Sequence, residues 1–313
     1  MSGSLNWELA WMHTAVTLVA ASTVFYLIYL FKPDNRAMRA GGWGCILLSM
    51  ICLCVSLYVR SGKAEYFALS NMYESLMVVS IGIQLVFLVA DRWFSNTIKA
   101  LGFPVALLIL GALLFDLTLP TDIKPLQPAL QSYWRSIHVP IILLSYALFT
   151  VSFLASVVQL IKSGLEDSKK DGAGKQPKNG QTQPATANGA PLQTSAFDAL
   201  AIAEAIEQDK ASVYDEITYR CVAFGFPMLM LGIILGGLWA NEAWGNYWSW
   251  DPKESMSLVT LVAYGVYLHL RVNGEHSPKT LAWVSVVGFV LMLVTYFGVN
   301  LMGVGLHSYG KIG

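Results

Sequence analysis

The chain alternates long apolar runs with short polar breaks, and each run is long enough to cross the hydrocarbon of a bilayer as one helix. The runs cover about residues 8 to 31, 41 to 59, 73 to 90, 98 to 115, 136 to 161, 217 to 238, 255 to 272 and 280 to 301. This pattern predicts an all-α polytopic membrane protein, a bundle of about eight transmembrane helices. One polar interval is much longer than the rest, so the chain divides into residues 1–162 with the first five spans, an insertion at 163–215, and residues 216–313 with the last three.

Composition agrees, with 55% hydrophobic and only 13% charged residues, far from a soluble globular chain. The basic residues decide orientation. Only Glu8 precedes the first run and Lys32, Arg36 and Arg39 follow it, so it does not read as a cleavable signal peptide and it sets the N-terminus outside. On that assignment fourteen of the twenty Lys and Arg residues fall on the inner side, although five of them share the long insertion and weigh less. Arg60, Lys63, Lys124, Arg135, Lys253 and Lys311 remain outside, together with the C-terminus. A bacterial plasma membrane is the expected setting, a thylakoid the alternative.

Net charge is zero and no basic stripe is interleaved with aromatics, which sets nucleic-acid partners aside. Cys45, Cys52, Cys54 and Cys221 fall inside spans without Cys-x-x-Cys spacing and read as small apolar side chains. The insertion is rich in Gly, Pro, Gln and Asn from Lys169 onward, a composition of disorder. From Ser195 it turns amphipathic through Phe197, Leu200, Ala201 and Ile206, which fits a short helix at the inner interface; a passive tether fits as well.

The outward-facing interval between the sixth and seventh runs is of another kind. Trp239 to Glu254 reads W-A-N-E-A-W-G-N-Y-W-S-W-D-P-K-E and holds Trp239, Trp244, Trp248 and Trp250, four of ten tryptophans, with Tyr247 among them. An interfacial aromatic belt accounts for one or two of these rings. The remainder suit a platform for a large planar ligand, with Asp251 able to fix a ring by accepting an indole N–H. Asp251 and Pro252 also mark the start of the seventh helix, where an acid and a proline are both favoured.

This segment resembles the WWD signature of membrane haem-handling proteins, and its D-P-K-E ending with the upstream W-A-N-E is similar to the CcsA/ResC family of System II cytochrome c maturation. The close resemblance covers about Glu216 to Gly310, with looser agreement at F-A-L-S-N-M-Y-E-S-L (Phe67 to Leu76), which includes Glu74, and around His138. Many members carry an aromatic where this chain has Met256, a difference that a flexible thioether absorbs. The resemblance implies that haem b is bound at the outer face and presented to an apocytochrome c with a Cys-x-x-Cys-His segment. It also implies a cytochrome c synthase component active together with a ResB/CcsB-type membrane subunit.

Histidines supply candidate iron ligands. His138 opens the fifth span in I-H-V-P and His307 follows the eighth in G-V-G-L-H-S-Y-G, both on the side of the tryptophans. Both match the family's external haem ligands, which would also keep reduced iron from oxidation by occupying its open positions. His269, near the inner end of the seventh span, resembles the family's transmembrane ligand, and a histidine in hydrocarbon is costly and usually functional. His13 lies about 5 residues from the outer end of its helix and His269 about 14, roughly 13 Å apart in depth at 1.5 Å per residue, so the two cannot share an iron. His13 is expected to pack among helices and His276 to be solvated. A bis-histidine inner haem would then need its second ligand from the ResB/CcsB-type subunit.

Two rivals stand beside this reading. One is a haem exporter or carrier without synthase activity; the other is a membrane transporter without haem, against which the absence of an internal repeat counts.

Overall fold

The computed structural model describes residues 6–94, 98–173 and 196–298. Regular structure within them is helical: α1 (Trp7–Phe31), α2 (Arg36–Ala64), α3 (Met72–Trp93), α4 (Gly102–Asp116), α5 (Arg135–Ala173), α6 (Ala196–Trp244), α7 (Pro252–Asn273) and α8 (Pro278–Leu293). A single 3₁₀ turn lies at Pro128–Leu130, and α8 closes in a π turn at Val294–Gly298. Seven helices are long and apolar enough to span a bilayer, as a multi-pass membrane protein requires. The fourth is shorter than its apolar run predicted, at 15 residues. Its first residues spend themselves in a turn closed by Leu101 N–H to Ile98 O at 3.0 Å.

Local sequence explains where helices start. Asn35, Asn71, Asp251 and Ser277 each precede a helix and accept a first-turn backbone N–H through a side-chain oxygen. Asp251 forms a full capping box with Glu254, and Pro252 takes the first helical position. The helix expected from Ser195 and the sixth span are one element, α6, because no breaker interrupts residues 196–226 and Pro227 is accommodated within the helix.

The helices close into two four-membered rings. In the first, α1 packs on α2 and α4, and α3 on α2 and α4; in the second, α5 packs on α6 and α8, and α7 on the same two. The α3–α5 contact joins the rings. Polarity is arranged as a membrane demands. Apolar side chains such as Val24, Leu48, Val89, Ile234 and Val262 face outward, whereas Ser22, Ser56, Ser152, Ser156, Thr218 and Ser285 are buried between helices. Ser152 meets Ser285 at 2.8 Å, and Ser22 donates to Gly42 O at 2.9 Å. Inside a bilayer such bonds supply what the hydrophobic effect does not, about 0.6 kcal/mol each.

One interface bears on the site. α6 lies so near α5 that a Cβ on Gly232 would meet Ile142 Cγ1 at 2.3 Å, and one on Gly236 would meet His138 Cε1 at 2.8 Å. Glycine is therefore what brings the α6 backbone against the first turns of α5.

Candidate functional site

The start of α5, the end of α6, the start of α7 and the end of α8 meet at one end of the second ring, capped by the α4–α5 connection. A cavity of about 170 Å³ opens there, lined by His138, Val139, Ile142, Leu143 and Tyr146 of α5, Gly236 and Trp239 of α6, and Tyr247, Trp248 and Tyr296.

His138 is held from two sides. Its Nδ1 stands 2.7 Å from the carbonyl oxygen of Gly232, on a stretch of α6 where Gly236 leaves room for the ring. A carbonyl only accepts, so Nδ1 carries the proton and donates it, which places the imidazole lone pair on Nε2. The ring also packs against Trp239, centroids 5.7 Å apart. Trp239 is itself fixed, 4% exposed, with its indole N–H donating to Ala129 O at 2.8 Å. That carbonyl belongs to the 3₁₀ turn, so the α4–α5 connection anchors the tryptophan that orients the histidine.

The tryptophan-rich segment is not one surface. α6 continues through Trp244, which puts Trp239 and Trp244 on its last turns, 5.9 Å apart. Trp239 and Trp248 line the cavity, and Tyr247 lines it while remaining largely exposed. Trp250 is 73% exposed and stands edge-on to Trp248 at 5.7 Å. Its φ of 58° is one of two positive values at non-glycine residues among those described, a strained geometry for an aromatic residue. Asp251 is buried and accepts Lys253 N–H at 2.9 Å, the capping role its position predicts.

Beside the cavity lies a charge cluster that sequence reasoning did not assemble. Arg60 is completely buried; it donates through Nη1 to Glu8 and through Nε to Glu74, each at 2.7 Å, and also to Thr121 O at 2.9 Å. Glu74 also accepts from Ser70 N–H at 2.6 Å, and Ser75 on the next turn position reaches Tyr296 of the cavity wall at 2.8 Å. Glu74 therefore serves as a buried counter-ion. A signal existed: Glu8 and Arg60 each sit at the margin of an apolar run.

The remaining candidates lie elsewhere. His269 is exposed on the outer face of α7 toward the opposite end, 3.2 Å from Asn273 Nδ2. His13 is exposed on α1, which corrects the expectation that it packs among helices: Met12, Ala15 and Val19 form the inward face and leave its position on the outside. His276 is exposed between α7 and α8, as expected. His307 lies outside the described residues. The cysteines are free, three on α2 and Cys221 on α6.

Comparison with known proteins gives consistent matches. Residues 69–307 match the family model described as cytochrome C assembly protein. The cytochrome c biogenesis protein CcsA of Synechococcus elongatus is 36% identical, covering 89% of this chain and 90% of its own. That of Guillardia theta is 34% identical over 95% and 94%, and that of Nostoc punctiforme 35% over 89% and 90%. Among solved structures, a cytochrome c heme lyase CcmF shares the fold with a TM-score of 0.60 at 15% identity; the match covers 95% of this chain and 48% of that larger one.

Proposed function

The chain belongs to the cytochrome c assembly protein family, alongside CcsA cytochrome c biogenesis proteins, and we propose that it binds haem b in the cavity at His138 and presents it to apocytochrome c for covalent attachment. The observation that carries this reading is the 2.7 Å bond from His138 Nδ1 to the Gly232 carbonyl, in a cavity walled by Trp239 and Trp248. A ligating imidazole needs its other nitrogen engaged in this way, which fixes ring orientation and strengthens the donor. Apolar walls at Val139, Ile142 and Leu143 suit a porphyrin face.

His307 would supply the opposite axial ligand. It follows Gly298 by few enough residues for the chain to return to the cavity that Tyr296 already lines. With both axial positions filled, reduced iron is kept from oxidation until the partner's own histidine replaces one ligand. In attachment, each cysteine of a Cys-x-x-Cys-His segment adds across a haem vinyl group. The new S–C bond forms at one vinyl carbon, the thiol proton passes to the other, and no oxidant is consumed. Trp244, Trp248 and Trp250 shape the approach to the cavity, Tyr247 borders it, and Asp251 fixes the start of α7 beneath them.

This end faces outward on the same reading. The opposite end carries Arg36, Arg39, Arg92, Lys99, Lys162, Arg220, Arg271 and Lys279, which the positive-inside rule assigns to the inner side. There His269 would hold a second haem shared with a ResB/CcsB-type subunit. Its exposure favours this, because it lies in line with exposed Val259, Val262, Val266 and Asn273 at spacings of three and four, a seam on which another helix can pack.

Absorption spectroscopy of the chain purified with its ResB-type partner tests the reading. The expected result is a Soret band, together with cytochrome c maturation that fails in His138→Ala and His307→Ala and returns partly with added imidazole. A colourless complex, or normal maturation in both variants without imidazole, would overturn it.

A further inference from the structure

Arg135 lies three residues before His138 on α5, so the two share a helix face, and both line the cavity. It is 3% exposed, yet its charge is poorly answered. Nη1 donates to Phe67 O at 3.1 Å, and the guanidinium lies 5.8 Å from the Tyr66 ring centroid. Nε is buried with no hydrogen-bond partner. Among the described residues no carboxylate forms an ion pair with it, and nearby Glu74 is already bound by Arg60 and Ser70. Its position adds a second cost, because a cation in the first turn of a helix opposes the helix dipole.

An anion entering the cavity would offset both costs. Resting on the haem reading above, we propose that Arg135 is a carboxylate subsite that binds a propionate of the incoming porphyrin. Haem is apolar over its faces and vinyl edge and anionic only at the propionate edge. The cavity has an apolar wall of Val139, Ile142 and Leu143, with Arg135 at its α5 margin and Lys253 beside Glu254 at the start of α7. His138 fixes the iron along the axis normal to the ring, which leaves the porphyrin able to rotate in its own plane. A guanidinium bound to the propionate edge stops that rotation and turns the vinyl edge away from α5, toward the side from which cysteine thiols must come.

The test is Soret titration of the complex with its ResB-type partner, depleted of haem, using haem and haem dimethyl ester, in which both propionates are uncharged. The wild type should bind haem roughly tenfold or more tightly than the ester, the worth of a charge-assisted hydrogen bond. Arg135→Gln should bring haem affinity down to that for the ester and leave ester affinity unchanged, while Arg135→Lys retains part of the preference. Equal affinities in the wild type, or an undiminished preference in Arg135→Gln, would overturn the subsite and leave the haem reading standing. If Arg135→Gln loses the ester as well, as misfolding would cause, Arg135→Lys decides: ester binding with no preference overturns the proposal. A wild-type complex that binds neither porphyrin defeats the haem reading, and the subsite with it.

Discussion

His138 and His269 are both histidines on membrane helices, but their surroundings differ in almost every respect. His138 is fixed by the Gly232 carbonyl, packed on Trp239 and set in a cavity beside a buried charge cluster. His269 stands on the outside of α7 with a single described hydrogen bond, to Asn273 one turn later on the same helix. A metal ligand needs its ring held. This chain supplies that support for His138 by itself; for His269 the proposed function leaves it to another polypeptide.

The largest effect that can break this contrast is on haem content. His138→Ala should empty the outer site whether or not the ResB-type subunit is present. His269→Ala should lower haem content only when that subunit is co-expressed, because on the proposed function haem is held at that position only with the subunit's help. Pyridine haemochrome assays on each variant, with and without partner, measure this. A partner-independent loss in His269→Ala would erase the distinction.

Next in size is the support around the first site. Arg60→Met leaves Glu8 and Glu74 buried without their counter-ion and should cost about 3–5 kcal/mol. At the opposite end Asp91 is buried too but Arg39 is partly accessible, so Arg39→Met should cost less, about 1–3 kcal/mol. Denaturation in detergent, followed by circular dichroism, should order the two variants this way; equal losses would mean that the ends are supported alike.

Smaller still is the helix contact that orients the ring. Gly232→Ala drives a methyl group into Ile142 and should cost about 1–3 kcal/mol of overpacking. If the α6 backbone shifts, the Nδ1 bond lengthens and haem affinity falls. Gly62→Ala, where a Cβ meets nothing within 4 Å, is the matched control and should leave affinity unchanged. The smallest single-residue effects belong to the aromatic segment. Trp248→Phe alone should reduce haem occupancy partially, each aromatic contact being worth about 0.5–1.5 kcal/mol beyond burial. Trp248→Phe with Trp239→Phe should nearly empty the cavity, since both rings line it. Trp250→Phe, at an exposed position off the cavity wall, should do least.

Hydropathy alone located the eight α-helices of the described residues, because in lipid every backbone N–H and C=O must be paired within a segment, and an apolar run has no other way to pair them. The resemblance of W-G-N-Y-W-S-W-D-P-K-E named the family before any geometry was known. Sequence could not divide the segment into Trp239, buried on α6 with its N–H bonded, and Trp250, exposed at positive φ, since both read as tryptophans beside polar residues. It also counted Arg60 and Arg135 only as charges on one side of a membrane.

The reason lies in the helices themselves. They are apolar almost all round, so no polar face announces which side of a helix meets a neighbour and which meets lipid. Helix number and family were determined by the sequence, because length and motif are properties of single segments. Which histidine is gripped was decided only when α5 and α6 closed at Gly232 and Gly236, and which arginine is paired only when α1 and α3 brought Glu8 and Glu74 to Arg60. Those outcomes depend on the rotation and depth of two helices relative to each other, which only packing sets.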